Sequence, residues 1–243
     1  MQAVERICRA PRYAVRSAGK AALPALPPMV TALPQCFEST LNPCFLYVAS
    51  ELIKTFGDEP QHDAELGEGA MRGAGASLYP CANHAPKLNS PTIAGPMLAR
   101  MMVGACSGLR SLQEVGARPD LADDTFLLAG RALSYAPRLV LKPQLLPVLL
   151  DAVMAGLLVQ HREACCSILG FVVRLLDPAT HRKCATEALG HLQAALAPRA
   201  PLLVRLLLAG AAGALPLGRQ AELTDVLHAL LKVRRSFCFS QPS

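Results

Sequence analysis

The chain has 243 residues, of which 52% are hydrophobic and 5% aromatic, and it carries a formal net charge of +6 with no tryptophan. The length allows one large domain or two small ones. Leucine, alanine and valine dominate, which is typical of packed helices, and the moderate, dispersed charge argues against a nucleic-acid-binding protein.

Nine cysteines are spread along the chain, and no C-x-x-C pair occurs. Five of them fall within helical patterns, where a free cysteine behaves as a small hydrophobic residue: Cys8, Cys44, Cys106, Cys165 and Cys184. We therefore predict a reduced, intracellular protein. The N-terminus has no continuous apolar stretch and is not expected to be a secretory signal.

The first predicted helix runs from about Ala3 to Ser17 and ends at Gly19, with Pro11 inside it as a source of a kink. Its arginines follow one another at spacings of three, three and four residues. At about 100° per residue they lie within an arc of roughly 120° on one side of the helix. We call this set the arginine ridge: Arg6, Arg9, Arg12 and Arg16.

Small or apolar residues occupy the opposite arc, which we expect to pack on a neighbouring helix. They are Val4, Ile7, Cys8, Ala14, Val15 and Ala18. The guanidinium groups on the other side suit phosphates or carboxylates of an extended partner, because each group can bind them bidentately. The alternative is a solvated basic face without a partner.

Two more helices are predicted before the pattern changes. The first covers about residues 26–39 and is interrupted by Pro34. The second begins with Asn42 as N-cap and Pro43 in the first turn, and it ends at Phe56.

A stretch rich in glycine and alanine follows, without a sustained hydrophobic period, and we predict a disordered insertion there. Its scattered His62, Cys81 and His84 are too weak a pattern for a metal site. The chain is therefore divided into helix pairs with the arginine ridge, the insertion, further helix pairs and a disordered tail: 1–57, 58–90, 91–235 and 236–243.

Seven further helices are expected after the insertion, punctuated by proline and aspartate. Their predicted bounds are about 90–115, 123–136, 143–159, 161–176, 178–197, 201–214 and 217–235. The stretch 118–120 is predicted as a turn, with Asp123 and Asp124 capping the helix that follows.

The apolar stretches 145–160 and 201–217 are each shorter than the roughly 20 residues of a membrane span, and we expect them to be buried helices.

The predicted helices form five antiparallel pairs with a step of about 40 residues, apart from the pair that carries the insertion. This period is typical of HEAT or armadillo repeats, in which each helix pair buries its apolar face against the next. We therefore predict an all-α fold, an α-solenoid of about five HEAT-like pairs. A compact helical bundle is the second choice.

No pattern of catalytic residues stands out. The stretch 160–163 combines a histidine with charges at a helix start, and capping by Glu163 with loop contacts by His161 and Arg162 is the better explanation. Asp123 and Asp124 are adjacent and suit capping, and His181 with Cys184 lacks a second ligand pair. Phosphate-binding, dinucleotide-binding and serine-hydrolase motifs are absent from the sequence. We predict a protein that is not an enzyme and needs no metal or cofactor.

Several segments, in order along the chain, resemble the C-terminal region of the transportin-3 nuclear import receptors. They are 4–9, 13–16, 19–20, 43–54, 118–124 and 160–164. These receptors are importin-β-superfamily karyopherins built from HEAT repeats, and the resemblance is strongest to plant and green-algal members. It extends over about residues 3–57 and 91–232.

The resemblance implies import of serine/arginine-rich (SR) splicing factors, whose phosphorylated RS domains are gripped by an arginine-rich helix on the concave surface. The positions that match this helix are Arg6, Arg9, Arg12 and Arg16. It also implies cargo release by Ran-GTP, shuttling between cytoplasm and nucleus, and neither membrane nor direct nucleic-acid contact. Family members are several times longer, so this chain is expected to match their last third, without the repeats that make the main Ran contact.

Two other functions remain open. One is a structural HEAT-repeat scaffold or truncated paralogue that binds no cargo of its own. The other is direct RNA binding, which has little support because Tyr13 is the only aromatic residue among the ridge arginines.

Overall fold

The computed structural model describes residues 2–56, 94–177, 180, 184 and 186–238, and these residues contain helices but no β-strand. The α-helices are α1 (Gln2–Ala18), α2 (Leu26–Thr40), α3 (Cys44–Phe56), α4 (Ala94–Cys106), α5 (Leu112–Ala117), α6 (Pro119–Tyr135), α7 (Pro137–Val140), α8 (Leu146–Gly156), α9 (Arg162–Leu176), α10 (Thr186–Leu196), α11 (Ala200–Ala209) and α12 (Gln220–Cys238).

The helices are arranged in two layers. The first layer contains α1, α3, α6, α9 and α12, each packed against the next. The second contains α2, α4, α8 and the α10–α11 segment, and the chain passes from one layer to the other between successive major helices. This arrangement confirms the predicted all-α solenoid.

The first-layer helices run parallel to one another, since both ends of neighbouring helices meet. Near the N-terminal ends of α6 and α9, Ser167 donates a short hydrogen bond to Asp123. Near their C-terminal ends, the Arg174 side chain crosses Gly130, where an added Cβ would lie 2.9 Å from its Nη1. Because α6 and α9 are parallel, α8 between them returns the chain through the second layer.

The core lies between the layers and consists mainly of leucine, valine, alanine and methionine. Three fully buried phenylalanines contribute the largest side chains: Phe37, Phe126 and Phe171. The rings of Phe126 and Phe171 join α6 to α9 with centroids 5.6 Å apart.

The first three helices agree with the sequence prediction. Pro11 does not end α1, and Gly19 follows it with a φ of +50°, a conformation that glycine adopts at little cost. The Asn42 side chain accepts a hydrogen bond from the Cys44 N–H, 3.0 Å away, and so caps α3 as expected.

The predicted helix over 90–115 is two helices, which corrects the expectation. The chain leaves α4 after Cys106 and restarts at α5, where Ser111 accepts a bond from the Glu114 N–H and Glu114 accepts one from the Arg110 N–H. This reciprocal cap ends the first helix and starts the second.

The start of α6 also differs from the prediction. The helix begins at Pro119 rather than near Asp123, because proline is well suited to the first helical turn. The predicted turn is therefore part of the helix, and the Arg118 side chain before it donates a bond to the Leu41 carbonyl, 2.9 Å away.

The segment from α10 to α11 is more continuous than the predicted pair of helices. A 3₁₀ turn at Ala197–Arg199 joins the two helices, and a short π-helix at Gly210–Ala214 follows. The whole stretch Thr186–Ala214 is long and apolar enough to cross a membrane by length and composition, although Arg199 within it binds Asp151 of α8. The predicted apolar stretch 201–217 therefore begins inside a longer helical run than the sequence indicated.

The expectation that both apolar stretches are buried is met only by the first. In α8 most side chains are buried in the core, but three apolar residues of α11 are about half exposed: Leu202, Val204 and Leu208. The predicted insertion over 58–90, the start at Ser90-Pro91, the end of the tail after residue 238, and His181 lie outside the described residues.

Candidate functional site

Helix α1 rests on α3 through a narrow apolar face. Cys8 and Val15 are buried, and Val4 packs against the core from its edge. Ile7, predicted to pack, is 66% exposed. Ala14 and Ala18, also predicted to pack, are exposed as well. The buried side of α1 therefore lies closer to the arginines than predicted. Side chains of α3 contact the arginines on that side of the helix.

Arg12 is the arginine that this shift of the buried side brings into the helix interface. Its guanidinium lies 4.9 Å from the ring centroids of both Tyr13 and Tyr47. It also donates a 3.3 Å bond to the Tyr13 hydroxyl, while its Nε is buried without a hydrogen-bond partner among the described residues. Arg12 is thus held in place by cation–π contacts and is the least available of the ridge arginines.

Arg16 lies beside a buried carboxylate on α3. Its Nε is 3.7 Å from Glu51, whose side chain is only 3% exposed. Arg131 of α6 donates to the same Glu51 at 2.5 Å and to Ser50 at 2.7 Å. The Arg131 guanidinium also lies 5.3 Å from the Tyr47 ring centroid, so three first-layer helices meet at this cluster. One side of Arg16 remains open to solvent.

Arg6 and Arg9 are the most accessible members of the ridge. Arg9 donates a 2.5 Å bond to Glu5 one turn earlier, which raises the pKa of the guanidinium and leaves its side chain 58% exposed. Arg6 is exposed and has no hydrogen bond or ion pair to any described residue. The structure therefore places the four arginines on one side of α1 but gives each a different environment.

Three residues of this region were not singled out from the sequence. Tyr47 and Glu51 are one turn apart on α3, and Arg131 is two turns from Asp124 on α6. The i, i+4 spacing of Tyr47 and Glu51 within an otherwise apolar helix was the available signal. Their meeting with α1 depends on how the helices pack and could not be read from spacing.

The cysteines of the site are protonated thiols. Burial raises the pKa of Cys8 to about 11 and also raises the pKa of Cys44. The seven cysteines whose side chains the structure describes are free, and no group of three possible metal ligands occurs among the described residues. Nothing among these residues suggests thiol chemistry.

The remaining sequence candidates are separated from this site and from one another. His161 precedes α9 as its N-cap residue, with Nδ1 3.5 Å from a Glu163 carboxylate oxygen in the first turn. Asp123 binds Ser167, whereas Asp124 faces α1 and α3, so the adjacent aspartates have different surroundings. Cys184 donates to the Thr180 carbonyl, 3.2 Å away.

Two stacked layers of helices define this chain as a segment of an α-solenoid, a class of repeat proteins with extended binding surfaces. Residues 1–72 match the family model of the Transportin-3/Importin-13 fourth TPR domain. The chain is 33% identical to Transportin MOS14 of Arabidopsis thaliana over 238 residues, 98% of this chain and 21% of that protein. The predicted resemblance is confirmed: the chain is a transportin-3-like segment.

A second relative comes from a fungus. Uncharacterized protein C11G11.07 of Schizosaccharomyces pombe is 27% identical over 181 residues, 73% of this chain and 16% of that protein. The chain thus spans about a fifth of the plant relative, less than the last third that the sequence suggested.

Proposed function

We propose that this chain is the cargo-binding segment of a nuclear import receptor that takes phosphorylated RS-domain proteins such as SR splicing factors. The observation that carries the proposal is the accessible edge of α1, where Arg6, Arg9 and Arg16 are exposed in a segment similar to a transportin. Phosphoserines on an extended chain suit such a row, since phosphate accepts bidentate bonds from guanidinium groups. Arg12 contributes by holding α1 on Tyr47.

In this proposal, other steps of transport are carried out by other parts of the receptor. Ran-GTP would act on repeats outside this sequence, and the complete receptor would shuttle between cytoplasm and nucleus. The role is transport without catalysis, and the cargo is protein rather than membrane or nucleic acid.

The test is binding of a fluorescent RS-repeat peptide, phosphorylated or unphosphorylated, to the full 243-residue chain. The variant Arg6→Ala/Arg9→Ala/Arg16→Ala should lose phosphate-dependent binding. The matched control removes three exposed arginines elsewhere, Arg138→Ala/Arg162→Ala/Arg205→Ala, and should retain it. Affinity for the wild type should fall about tenfold or more with added salt, as in other charge-dominated binding.

A structural repeat module without cargo is the alternative function, favoured by the engagement of Arg12 and Arg16 with neighbouring helices. Binding that ignores phosphorylation, or equal loss in the two triple variants, would support the alternative. An RNA oligonucleotide in the same assay separates direct RNA binding from both.

A further inference from the structure

A cavity of about 460 Å³ lies between α1, α3 and α6, directly beside the arginine ridge. Its wall combines both charge signs with aromatic rings: Glu5, Arg9, Arg12, Tyr13, Tyr47 and Asp124. A purely anionic ligand would use only the guanidinium side of this cavity. Such a ligand would leave the carboxylates of the cavity without a role in binding.

Asp124 is the carboxylate in this cavity that lacks a partner. It receives neither a hydrogen bond nor an ion pair from the described residues, whereas Glu5 already accepts from Arg9. Burial, followed by the nearby charges of Asp123 and Asp120, raises the pKa of Asp124 to about 7, although Arg131 opposes the shift. A cation entering the cavity would stabilise the ionised carboxylate, because an opposite charge at close range favours the charged form.

The wall favours an organic cation over a metal ion. Tyr13 and Tyr47 line the cavity, but Arg12 already lies over both rings and Arg131 lies over Tyr47, so the attraction for a cation comes from the Asp124 carboxylate. A guanidinium pairs with a carboxylate through two parallel bonds, which Asp124 can accept through its two oxygens. The described part of the chain offers no cluster of three ligands for a metal.

The opposite wall offers one accessible donor for an anion. Arg12 is not that donor, because its Nε is buried and its guanidinium lies against Tyr13 and Tyr47. Arg9 borders the same space and is exposed to solvent. The cavity therefore offers a donor side for a negative group next to an acceptor side for a positive one.

We infer that this cavity binds an arginine side chain of the cargo, with Asp124 as its carboxylate partner, while the neighbouring phosphoserine contacts Arg9. The inference rests on the proposed function and adds a second specificity to it. Alternating arginine and phosphoserine place opposite charges on successive residues of an extended chain, which matches the two sides of the cavity. A phosphopeptide without arginines would use only half of the site.

The experiment compares two phosphorylated RS-repeat peptides, one natural and one with every arginine replaced by citrulline, which has the same shape but no charge. For the wild-type chain, we expect the arginine peptide to bind about tenfold more tightly, as for one charge-assisted contact. Asp124→Asn should reduce this ratio to about twofold and leave the affinity for the citrulline peptide unchanged. The matched control, Asp225→Asn, removes an exposed carboxylate of α12 and should keep the full ratio.

Circular dichroism of both variants confirms that they are folded before binding is compared. A ratio that Asp124→Asn does not change would overturn the arginine subsite while leaving the phosphate site intact. If the citrulline phosphopeptide fails to bind but the unphosphorylated arginine peptide binds through Asp124, the subsite stands and the proposed function fails. Binding of neither phosphorylated peptide overturns both.

Discussion

Two joints of the first layer contain an arginine–glutamate ion pair at 2.5 Å, one between two helices and one within a single helix start. Between α3 and α6, Arg131 reaches Glu51 on the neighbouring helix at 2.5 Å. At the α9–α12 joint, Arg219 and Glu222 lie one turn apart at the start of α12, also at 2.5 Å. The same two residue types therefore join two helices in one place and support one helix start in the other.

The two glutamates differ in burial, and burial determines how much the loss of each ion pair lowers the stability of the fold. The Glu51 side chain is 3% exposed, whereas that of Glu222 is 28% exposed. The hydrogen bond that links Glu222 to α9 among the described residues comes from the weak Cys166 thiol donor, 3.9 Å away. Removing Arg131 leaves the deeply buried Glu51 carboxylate with the longer 3.7 Å contact to the half-exposed Arg16, which costs more than losing a solvated pair.

The largest expected effect is therefore on the α3–α6 joint. Arg131→Ala should lower the free energy of unfolding by about 3 kcal/mol, compared with about 1 kcal/mol for Arg219→Ala. Chemical denaturation measures both. Arg138→Ala, at an exposed arginine of α7, is the control and should change stability by less than about 0.5 kcal/mol. Equal losses at the two joints would contradict the comparison.

The second prediction concerns Asp124, which faces the same joint from the N-terminal end of α6. Its pKa is raised to about 7 in the folded chain, chiefly by burial, so the fold loses stability as the pH rises from about 4, where the unfolded carboxyl ionises, to about 7. Asp124→Asn should then stabilise the chain by about 2 kcal/mol at pH 8, because each pKa unit corresponds to about 1.4 kcal/mol and the buried amide retains part of the burial cost.

Thermal unfolding across the pH range checks the sign of this prediction. The stabilisation by Asp124→Asn should disappear below about pH 4, where the wild-type carboxyl is protonated in both the folded and the unfolded chain. Asp225→Asn, at an exposed carboxylate of α12, is the matched control in the same measurement. A stabilisation that persists at low pH would mean that the charge is not its cause.

The smallest expected effects on stability come from glycine-to-alanine substitutions away from the charged joints. An added Cβ at Gly156 of α8 would lie 2.9 Å from Ile168 and 3.2 Å from Val115, so Gly156→Ala should destabilise the chain by about 1–2 kcal/mol. An added Cβ at Gly190 of α10 would meet no atom of another described element within 4 Å. There, Gly190→Ala should stabilise by about 0.5–1 kcal/mol through helix propensity. Opposite signs in denaturation are the expected result; matching signs would contradict it.

The sequence predicted the helices better where local signals decide the structure. Asn42 and Pro43 predicted the start of α3, and the spacing of apolar residues predicted the main helices of both layers. The sequence did not predict the break at residues 107–111. There the chain leaves α4 and starts again at the Ser111–Glu114 cap. The sequence also did not predict that α10 and α11 are joined through the 3₁₀ turn Ala197–Arg199. Pro201 was interpreted as the start of a separate helix, because proline often occurs in the first helical turn.

For the candidate site, sequence alone determined the four arginines and their common side of α1, because helical spacing is a local property. Tertiary structure decided which of them remain available, by bringing Tyr47, Glu51 and Arg131 to α1 from helices distant in sequence. It also placed Asp124 in the adjoining cavity. Spacing fixes directions around one helix, whereas burial, ion pairing and the resulting pKa depend on the neighbours that packing supplies.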